Sequence, residues 1–221
     1  MSEPFHLDTE HRWVEQRDLI VEEVLRHLRV SDGQNLLDIG CGMGEFLEVL
    51  PKNIVKVGID PNQKCVESAR RHVPEARILQ LKFQEYPVVY DAFDVVTAIC
   101  VLEHVENPTA LIRMAHRVCK PGGLGVFSTP NIGRPMRMGK AMAKKEKWER
   151  SGHRQGWDYH LLRHCLEYNG WTVEDIYTRF VDCPFYEYLP RKLGDLMSKR
   201  VLPRLFPRIG SELYAFARKP K

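Results

Sequence analysis

The chain has 221 residues, of which 43% are hydrophobic and 28% charged, and this composition fits one soluble domain with a sizeable core and excludes a disordered chain. Its six cysteines form no C-x-x-C pairs and have no histidines nearby at metal-ligand spacing, which argues against a zinc site and a disulfide framework. The N-terminus has no leader pattern and no uncharged apolar run approaches the roughly 18 residues that span a bilayer, so we expect a cytoplasmic protein.

The first predicted element is a helix over Thr9–Leu28, because apolar residues recur there at helical spacing. Short apolar runs then predict strands over Asn35–Ile39, Val55–Ile59, Arg77–Leu81, Asp94–Ile99, Leu124–Ser128, Thr172–Tyr177 and Glu212–Arg218. Helices are predicted over Glu45–Leu50, Gln63–Arg71, Pro108–Val118 and Tyr159–Tyr168, the last stopping at Gly170. Strands that alternate with helices predict parallel pairing, with ligands at the carboxyl ends of the strands.

The most informative run extends from Leu36 to Phe46, where an apolar strand ends in an acid and three glycines at alternate positions before a helix begins. Glycines remove Cβ atoms where a ligand approaches the backbone, and a helix N-terminus offers unpaired N–H groups. The spacing is D-x-G-x-G-x-G, and Glu45 replaces the third glycine of the dinucleotide fingerprint, which weakens a nicotinamide or flavin interpretation. The run therefore predicts a cofactor site of the nucleotide type.

This run resembles motif I of the class I S-adenosylmethionine-dependent methyltransferases. Lys56–Asp60 places an acid at the end of the next strand, about twenty residues on, where an acid can bind ribose hydroxyls. Phe93–Val105 resembles motif IV, and Leu111–Ser128 resembles the helix, turn and strand that follow it. Four ordered motifs at compatible spacing are a much more specific signal than one glycine loop.

The resemblance implies a fold and a reaction. The fold is of the α/β class: a single Rossmann-like methyltransferase domain with a seven-stranded, mostly parallel sheet, an antiparallel last strand and helices on both faces. The cofactor is S-adenosylmethionine and its product is S-adenosylhomocysteine. We divide the domain into a helical cap (1–33), a cofactor-binding core (34–131), a basic insertion (132–158) and a C-terminal half (159–221) in which 183–209 is a lid or an interaction surface.

The resemblance also assigns cofactor contacts. Asp38 faces the amine of the methionine end, and Asp60 faces the ribose. Near the adenine, Phe83 and Gln84 are candidates for stacking and hydrogen bonding, although Lys82 stands where the family often has Asp and Phe83 serves equally well as core. The predicted cofactor residues are Trp13, Arg17, Asp38, Gly40, Cys41, Gly42, Gly44, Asp60, Pro61, Phe83, Gln84, Cys100 and Val101.

Before the glycine loop, the stretch Glu10–Arg17 is similar to one found in the branch related to the quinone-pathway O-methyltransferases. In that position Trp13 and Arg17 would cover the cofactor, Trp13 by aromatic contact with the sulfonium side. Packing of Trp13 against the core is the alternative interpretation.

On the acceptor side, the sulfonium charge already activates the methyl group, so positioning supplies most of what the protein contributes. An oxygen or nitrogen acceptor can also need a proton removed, and histidine has the most suitable pKa. The candidates are His104 and His153, with structural roles as the alternative for each, and Asn131 and Tyr186 are predicted to bind the acceptor. No Asp-Asp-Asn constellation follows the fourth and fifth strands, so we predict no metal.

The net charge of +4 is unevenly distributed. Residues 134–154 carry eight basic and two acidic side chains, and residues 190–221 carry nine and two. These segments could contact a phosphorylated substrate or an anionic membrane surface, or they could form an ordinary solvated surface. We expect a small-molecule acceptor and no nucleic acid partner, in a monomer or a homodimer.

Two other functions stay open at this point. An RNA or protein methyltransferase could use the basic segments, but Ser128–Asn131 does not match the Asn/Asp-Pro-Pro-aromatic motif typical of amino-group methylation. A cofactor-binding regulatory or assembly protein without turnover is the third candidate, and the intact glycine loop with Asp60 argues against it.

Overall fold

The computed structural model describes residues 19–135, 152–181 and 190–221. The strands are β1 (Asn35–Ile39), β2 (Val55–Asp60), β3 (Arg77–Gln80), β4 (Phe93–Ile99), β5 (Cys119–Pro130), β6 (Thr172–Arg179) and β7 (Glu212–Arg218). The helices are α1 (described over 19–27), α2 (Glu45–Val49), α3 (Gln63–His72), α4 (Pro108–Val118), α5 (Tyr159–Tyr168), α6 (Arg191–Leu196) and α7 (Leu202–Leu205). A 3-10 turn, Phe83–Glu85, follows β3, and a π-helical segment, Met197–Val201, joins α6 to α7.

The seven strands form one sheet in the order β3-β2-β1-β4-β5-β7-β6. Strands β1 to β5 pair in parallel, whereas β7 runs antiparallel to both β5 and β6. The predicted Rossmann-like architecture with an antiparallel last strand is confirmed. The chain crosses from one side of β1 to the other between β3 and β4, and ligands of such sheets bind in the crevice at this reversal.

Helices α4 and α5 begin and end where the sequence predicts, and α2 and α3 differ from the prediction by one residue at their C-terminal ends. The side chains of Asn62, Asn107 and Asp158 accept hydrogen bonds from backbone N–H groups in the first turns of α3, α4 and α5. Gly170 has φ +90° just beyond the end of α5, as a helix stop requires. The main difference is β5, which begins at Cys119 and not at Leu124, because Cys119 pairs with Phe93 of β4 before the register shifts and regular pairing resumes at Leu124.

The core lies on both faces of the sheet. On one face, α1 buries Ile20 and Val24 against Leu36, Tyr214 and Phe216, together with residues of α2 and α3. On the other face, residues of α4 and α5 pack around Phe127 and Trp171. This arrangement leaves the loops at the carboxyl ends of the strands as the open edge.

Several sequence-based predictions lie outside the described residues. They are the cofactor residues Trp13 and Arg17, the acceptor residue Tyr186, most of the basic insertion, and residues 183–189 of the predicted lid. Within the described ranges, no helix combines the length and the apolar character that crossing a bilayer requires.

Candidate active site

The glycine loop after β1 is fixed by hydrogen bonds to the end of β2. The N–H groups of Gly40 and Cys41 donate to the carbonyl of Ile59 at 2.8 and 3.1 Å, and the N–H of Gly42 donates to the Asp60 carboxylate at 3.1 Å. Asp60 also accepts from the N–H of Asn62 at 2.8 Å. A carboxylate has about four acceptor positions, so Asp60 can still bind a ligand hydroxyl while it holds the loop.

Two of the loop glycines are required for different reasons. Gly40 has φ +75°, and a Cβ there would overlap Cγ2 of Val101, so the loop can approach the end of β4 only without a side chain. Gly44 has φ +91°, and its Cβ would come within 3.1 Å of Ala69 on α3 and of Val73 directly after that helix. Gly44 therefore allows α2 to pack on α3, and it lines neither of the two cavities described next.

Two cavities open at this edge and share Gly40 and Cys100 as a common wall. The larger has a volume of about 540 Å³, and its lining includes Asp60, Pro61, Lys82, Phe83, Gln84, Val101, His104 and Arg154. The smaller has a volume of about 180 Å³, and its lining includes Ile20, Val21, Asp38, Cys41, Gly42 and Glu45. Ten of the thirteen predicted cofactor residues thus border one cavity or the other, Gly44 does not, and Trp13 and Arg17 lie outside the described residues.

The smaller cavity is an acidic environment. Asp38 is only 3% exposed and accepts a hydrogen bond of 2.6 Å from the Thr97 hydroxyl. Burial raises the pKa of Asp38 to about 7, against the opposing effect of the Thr97 hydrogen bond. No lysine, arginine or histidine is found among the described residues that line this cavity. A ligand group with positive charge would relieve the cost of this buried carboxylate.

These features fit S-adenosylmethionine. A nucleoside needs room, an acceptor for its ribose hydroxyls and an apolar wall for its base, and the larger cavity supplies them through Asp60 and Phe83. An amino acid with an ammonium and a sulfonium group needs negative charge nearby, and the smaller cavity supplies it through Asp38. Gly40 lines both cavities, and a Cβ on it would overlap Val101. A side chain at this position would therefore intrude where the two cavities meet.

Cys100 occupies a strained position at the end of β4, since its φ of +55° is uncommon for a residue with a side chain. Its N–H donates to the carbonyl and the hydroxyl of Ser128, and its thiol lies 3.3 Å from the Glu212 carboxylate. Burial raises the pKa of both the Cys100 thiol and the Glu212 carboxyl group well above their usual values. The thiol is therefore not a nucleophile at neutral pH, and it helps to hold a buried acid beside the strand end.

The two predicted catalytic histidines come together, 49 positions apart in the sequence. Their ring centroids lie 5.0 Å apart with the planes at 71°. Nδ1 of His104 lies 3.3 Å from the Gly152 carbonyl, which favours the tautomer that carries its proton on Nδ1 and leaves Nε2 as an acceptor. Burial lowers the pKa of His104, so the ring is neutral near pH 7.

Glu103 lies beside both histidines and was not predicted as a site residue. It is 1% exposed, and Oε2 accepts a hydrogen bond of 3.0 Å from Thr129. Oε1 is buried without a hydrogen bond among the described residues and lies 3.8 Å from Nε2 of His104. Burial raises the pKa of Glu103 to about 7. Its position next to His104 in the sequence was the available signal.

Glu103, His104 and His153 are also the group that could hold a metal ion, since one ligand atom from each lies within 4.8 Å of the others. Imidazole nitrogens and a carboxylate suit zinc and other first-row divalent metals. The sequence-based prediction that no metal is used therefore stays a prediction, which metal analysis of the purified protein can test.

Asn131 is buried, and its side chain is occupied by backbone groups. Its amide donates to the carbonyls of Arg208 and Gly210 at 3.1 and 2.8 Å and accepts from the N–H of Gly133 at 2.8 Å. These bonds hold the turn before β7 against the end of β5. Backbone groups thus occupy the amide, and the predicted contact of Asn131 with an acceptor stays a prediction.

The end of the basic insertion returns to the loop after β4. The N–H of Arg154 donates to the Glu103 carbonyl at 2.7 Å, and the Gln155 amide donates to the carbonyl of Glu106 at 3.0 Å. Ile132 donates to the carbonyl of Trp157 at 2.8 Å, so both ends of the insertion meet. Sequence reasoning could not find this contact, because nothing local in either segment encodes it.

Comparisons with known proteins agree with this geometry. Residues 12–176 match a family model described as a methyltransferase domain. The ubiquinone biosynthesis O-methyltransferase of Albidiferax ferrireducens is 36% identical over 132 residues, which are 57% of this chain and 52% of that relative. The chain spans about half the length of the curated relatives it matches.

Solved structures share the fold. The methyltransferase in the complex with the Haloferax volcanii Trm112 methyltransferase activator aligns with a TM-score of 0.71 at 18% identity, covering 95% of this chain and 92% of that chain. The S-adenosylmethionine-dependent methyltransferase from Mesorhizobium loti aligns with a TM-score of 0.62 at 18% identity, covering 90% and 96%. At such identities the likeness shows the fold alone, because one fold supports many activities.

Proposed function

Because this chain belongs to the methyltransferase domain family, with S-adenosylmethionine as its cofactor, we propose that it transfers the methyl group to an oxygen of a small-molecule acceptor by in-line displacement. The observation that carries the proposal is the pair of cavities that meet at Gly40 and Cys100. One contains the acid and the aromatic ring that suit a nucleoside, and the other contains the buried Asp38 that suits a cationic amino acid.

The bound cofactor supplies a methyl group that its sulfonium charge has already activated. Asp38 binds the amine, and Asp60 binds the ribose while it fixes the glycine loop through the N–H of Gly42. Phe83 forms an apolar wall for the base, with Gln84 and Lys82 beside it. The strained turn at Cys100 closes the wall between the two ends. Together these residues would hold the cofactor at the carboxyl ends of the strands.

His104 accepts the acceptor's proton at Nε2 in this proposal. The hydrogen bond from Nδ1 to the Gly152 carbonyl orients the ring, and burial keeps it neutral. Glu103 lies 3.8 Å from Nε2 and can stabilise the imidazolium once the proton has moved. His153, whose ring centroid lies 5.0 Å from that of His104, is the second candidate for this role.

The oxygen and small-molecule parts of the proposal draw on the relatives named ubiquinone biosynthesis O-methyltransferase. Their names support a small molecule over RNA or protein as the acceptor. The partial coverage of these relatives leaves the acceptor's identity to experiment.

Calorimetry with S-adenosylmethionine, S-adenosylhomocysteine and NAD tests the cofactor assignment. We expect both sulfur compounds to bind and NAD to bind at least a hundredfold more weakly. Incubation of the protein with methyl-labelled S-adenosylmethionine and a cell extract, followed by separation into small molecules, RNA and protein, tests the acceptor class. Label confined to the RNA or protein fraction would refute the proposed class.

His104→Asn tests the proton acceptor once a labelled small molecule has been isolated. We expect kcat to fall about 10²- to 10⁴-fold, as for loss of general base catalysis, with little change in the affinity for S-adenosylhomocysteine. His153→Asn is the matched variant in the same cluster. If the His104 variant keeps full kcat and the His153 variant loses it, the roles of the two histidines are exchanged.

A further inference from the structure

A buried acid on α1 lies outside both cavities and has no part in the chemistry proposed above. Glu23 is 4% exposed, and its Oε1 accepts hydrogen bonds from Nε of Arg179 at 2.7 Å and from the Tyr177 hydroxyl at 3.1 Å. Both partners belong to β6, one of the two edge strands of the sheet. We call Glu23, His27, Tyr177 and Arg179 the Glu23 cluster.

Aromatic contacts complete the Glu23 cluster. The Arg179 guanidinium lies 4.9 Å from the centre of the Tyr177 ring, and that ring stacks on Tyr214 at 5.7 Å. His27, one turn after Glu23, packs its ring 5.2 Å from Tyr177, and its Nδ1 lies 2.9 Å from the tyrosine hydroxyl. Charged, hydrogen-bonded and aromatic contacts thus join one face of α1 to β6 and β7.

The turn of α1 before Glu23 forms a wall of the smaller cavity. Ile20 and Val21 line it opposite Asp38 and Gly42. Residues three apart on a helix lie on the same side, so the position of Glu23 also sets the position of Ile20. The wall that closes the methionine end of the site is therefore placed by contacts on a different edge of the sheet.

Apolar packing alone would not fix the positions of Ile20 and Val21. Ile20, Val24 and Leu28 bury one stripe of α1, but hydrophobic contacts are non-directional and tolerate a helix that slides or rotates slightly. The ion pair is directional: Oε1 of Glu23 binds Arg179, whereas its Oε2 lies 3.3 Å from Nη1 of Arg26 on the same helix, so displacement of α1 from β6 breaks the contact with Arg179 and keeps the one with Arg26. Helix α1 is therefore held by two kinds of contact: apolar packing, which is non-directional, and the ion pair between Glu23 and Arg179, which is directional.

We propose that Glu23 is a positioning residue for the cofactor: bound to Arg179 and Tyr177, it holds α1 where Ile20 and Val21 close the smaller cavity. The inference rests on the cofactor assignment in the proposed function and adds a residue that contacts neither cofactor nor acceptor. Cofactor binding and α1 docking then strengthen each other by the same factor, because such coupling is reciprocal.

The test compares Glu23→Gln and Arg179→Gln with a matched control. Glu174→Gln removes another ion pair of β6, the exposed pair with Arg218 at 2.6 Å, which is remote from both cavities. We expect the dissociation constant for S-adenosylhomocysteine to rise about tenfold in each cluster variant and to stay within twofold in the control. The double variant Glu23→Gln/Arg179→Gln should bind as the single variants do, and Arg179→Lys, which keeps the charge, should retain most of the affinity.

Hydrogen exchange provides a readout that a purely structural contact would not change. In the wild type, S-adenosylhomocysteine should slow exchange of the amides in residues 19–27, and in Glu23→Gln this ligand-dependent protection should be largely lost. Lower melting temperatures with unchanged affinity and unchanged protection would overturn the proposal and leave the Glu23 cluster as a fold contact. If the wild type itself fails to bind S-adenosylhomocysteine, both this inference and the proposed function are wrong.

Discussion

The two halves of the cleft satisfy their polar groups in different ways. In the cofactor half, formed by the loops after β1 and β2, the N–H groups of Gly40 and Cys41 donate to the Ile59 carbonyl and that of Gly42 donates to the Asp60 carboxylate. In the acceptor half, at the ends of β4, β5 and β7, Glu103 and the Tyr214 hydroxyl each retain a buried oxygen without a hydrogen bond among the described residues, and Glu212 is buried beside a thiol.

This difference has an energetic meaning. A buried polar group that lacks a partner lowers the free energy of unfolding by about 1–3 kcal/mol, so the unbonded groups of the acceptor half destabilise the fold. The N–H groups of the glycine loop in the cofactor half, in contrast, have hydrogen-bond partners. Sites that violate the usual rules of burial are candidates for ligand contacts. Glu103, Glu212 and Tyr214 are therefore the groups at this edge whose burial lowers stability, although none of the three lines either cavity.

The largest effect is expected at Gly40. Alanine there would overlap Val101 where the two cavities meet, so we expect the affinity for S-adenosylhomocysteine to fall about a hundredfold, or about 2.7 kcal/mol, by calorimetry. Gly33→Ala is the matched control, because Gly33 has nearly the same φ, +76° against +75°, but has no atom within 4 Å of an added Cβ. Equal affinity in the Gly40 variant would show that the loop does not approach the ligand.

The substitution Glu212→Gln tests whether the buried acid of the acceptor half lowers the stability of the fold. Burial raises the pKa of Glu212, so the stability this group contributes is present below its unfolded pKa and is lost as pH rises toward its folded pKa. An amide has no such loss, and we expect the variant to be more stable by about 2 kcal/mol at pH 8, or about 6 °C in Tm.

The difference in stability between the Glu212 variant and the wild type should shrink toward pH 5, where the wild-type carboxyl group is neutral like the amide of the variant. Glu174→Gln, on the exposed surface of β6, should show no such pH-dependent gain. A lower Tm for Glu212→Gln at pH 8 would mean that the buried acid stabilises the fold, and the contrast between the two halves would be lost.

The smallest effect concerns Asp38 and the pH dependence of cofactor binding. Its pKa of about 7 means that the carboxylate is present above that pH and is lost below it, so the affinity for S-adenosylhomocysteine should fall about tenfold from pH 8 to pH 6. Thr97→Val removes the hydrogen bond that opposes the rise of this pKa, and it should move the midpoint to higher pH. A binding profile without a midpoint between pH 6 and 8 would contradict the assignment of Asp38 to the amine.

The fold was predictable because its signals are local. Strand β7 and helices α4 and α5 have the predicted bounds, since each is a periodic apolar run with a turn or cap residue at its end. The antiparallel last strand came from the family resemblance. The early start of β5 at Cys119 was missed, because one pairing of Cys119 with Phe93 precedes a shift in register, and the Pro-Gly-Gly stretch before Leu124, with Gly122 at φ +77°, keeps the turn character that the sequence indicates.

The residues of the candidate site also fall into two groups, those predictable from local motifs and those that depend on distant partners. Asp38, Gly40 and Asp60 stand in contiguous motifs, and the structure places them around the two cavities as the motifs imply. Thr97, Glu103 and Glu212 were missed as site residues because their significance depends on partners elsewhere in the chain. The bond between Cys100 and Glu212 joins residues 112 positions apart.

The class of cofactor and the succession of strands and helices along the chain follow from the sequence, because a glycine loop, a ribose acid and alternating apolar periods are encoded in short segments whose chemistry does not depend on distant residues. The tertiary structure decided which groups are buried, and hence which acids have raised pKa values. It also decided that His104 meets His153 and that Glu23 on α1 binds Arg179 on β6. Burial and long-range pairing are properties of the packed chain, so no local pattern could have specified them.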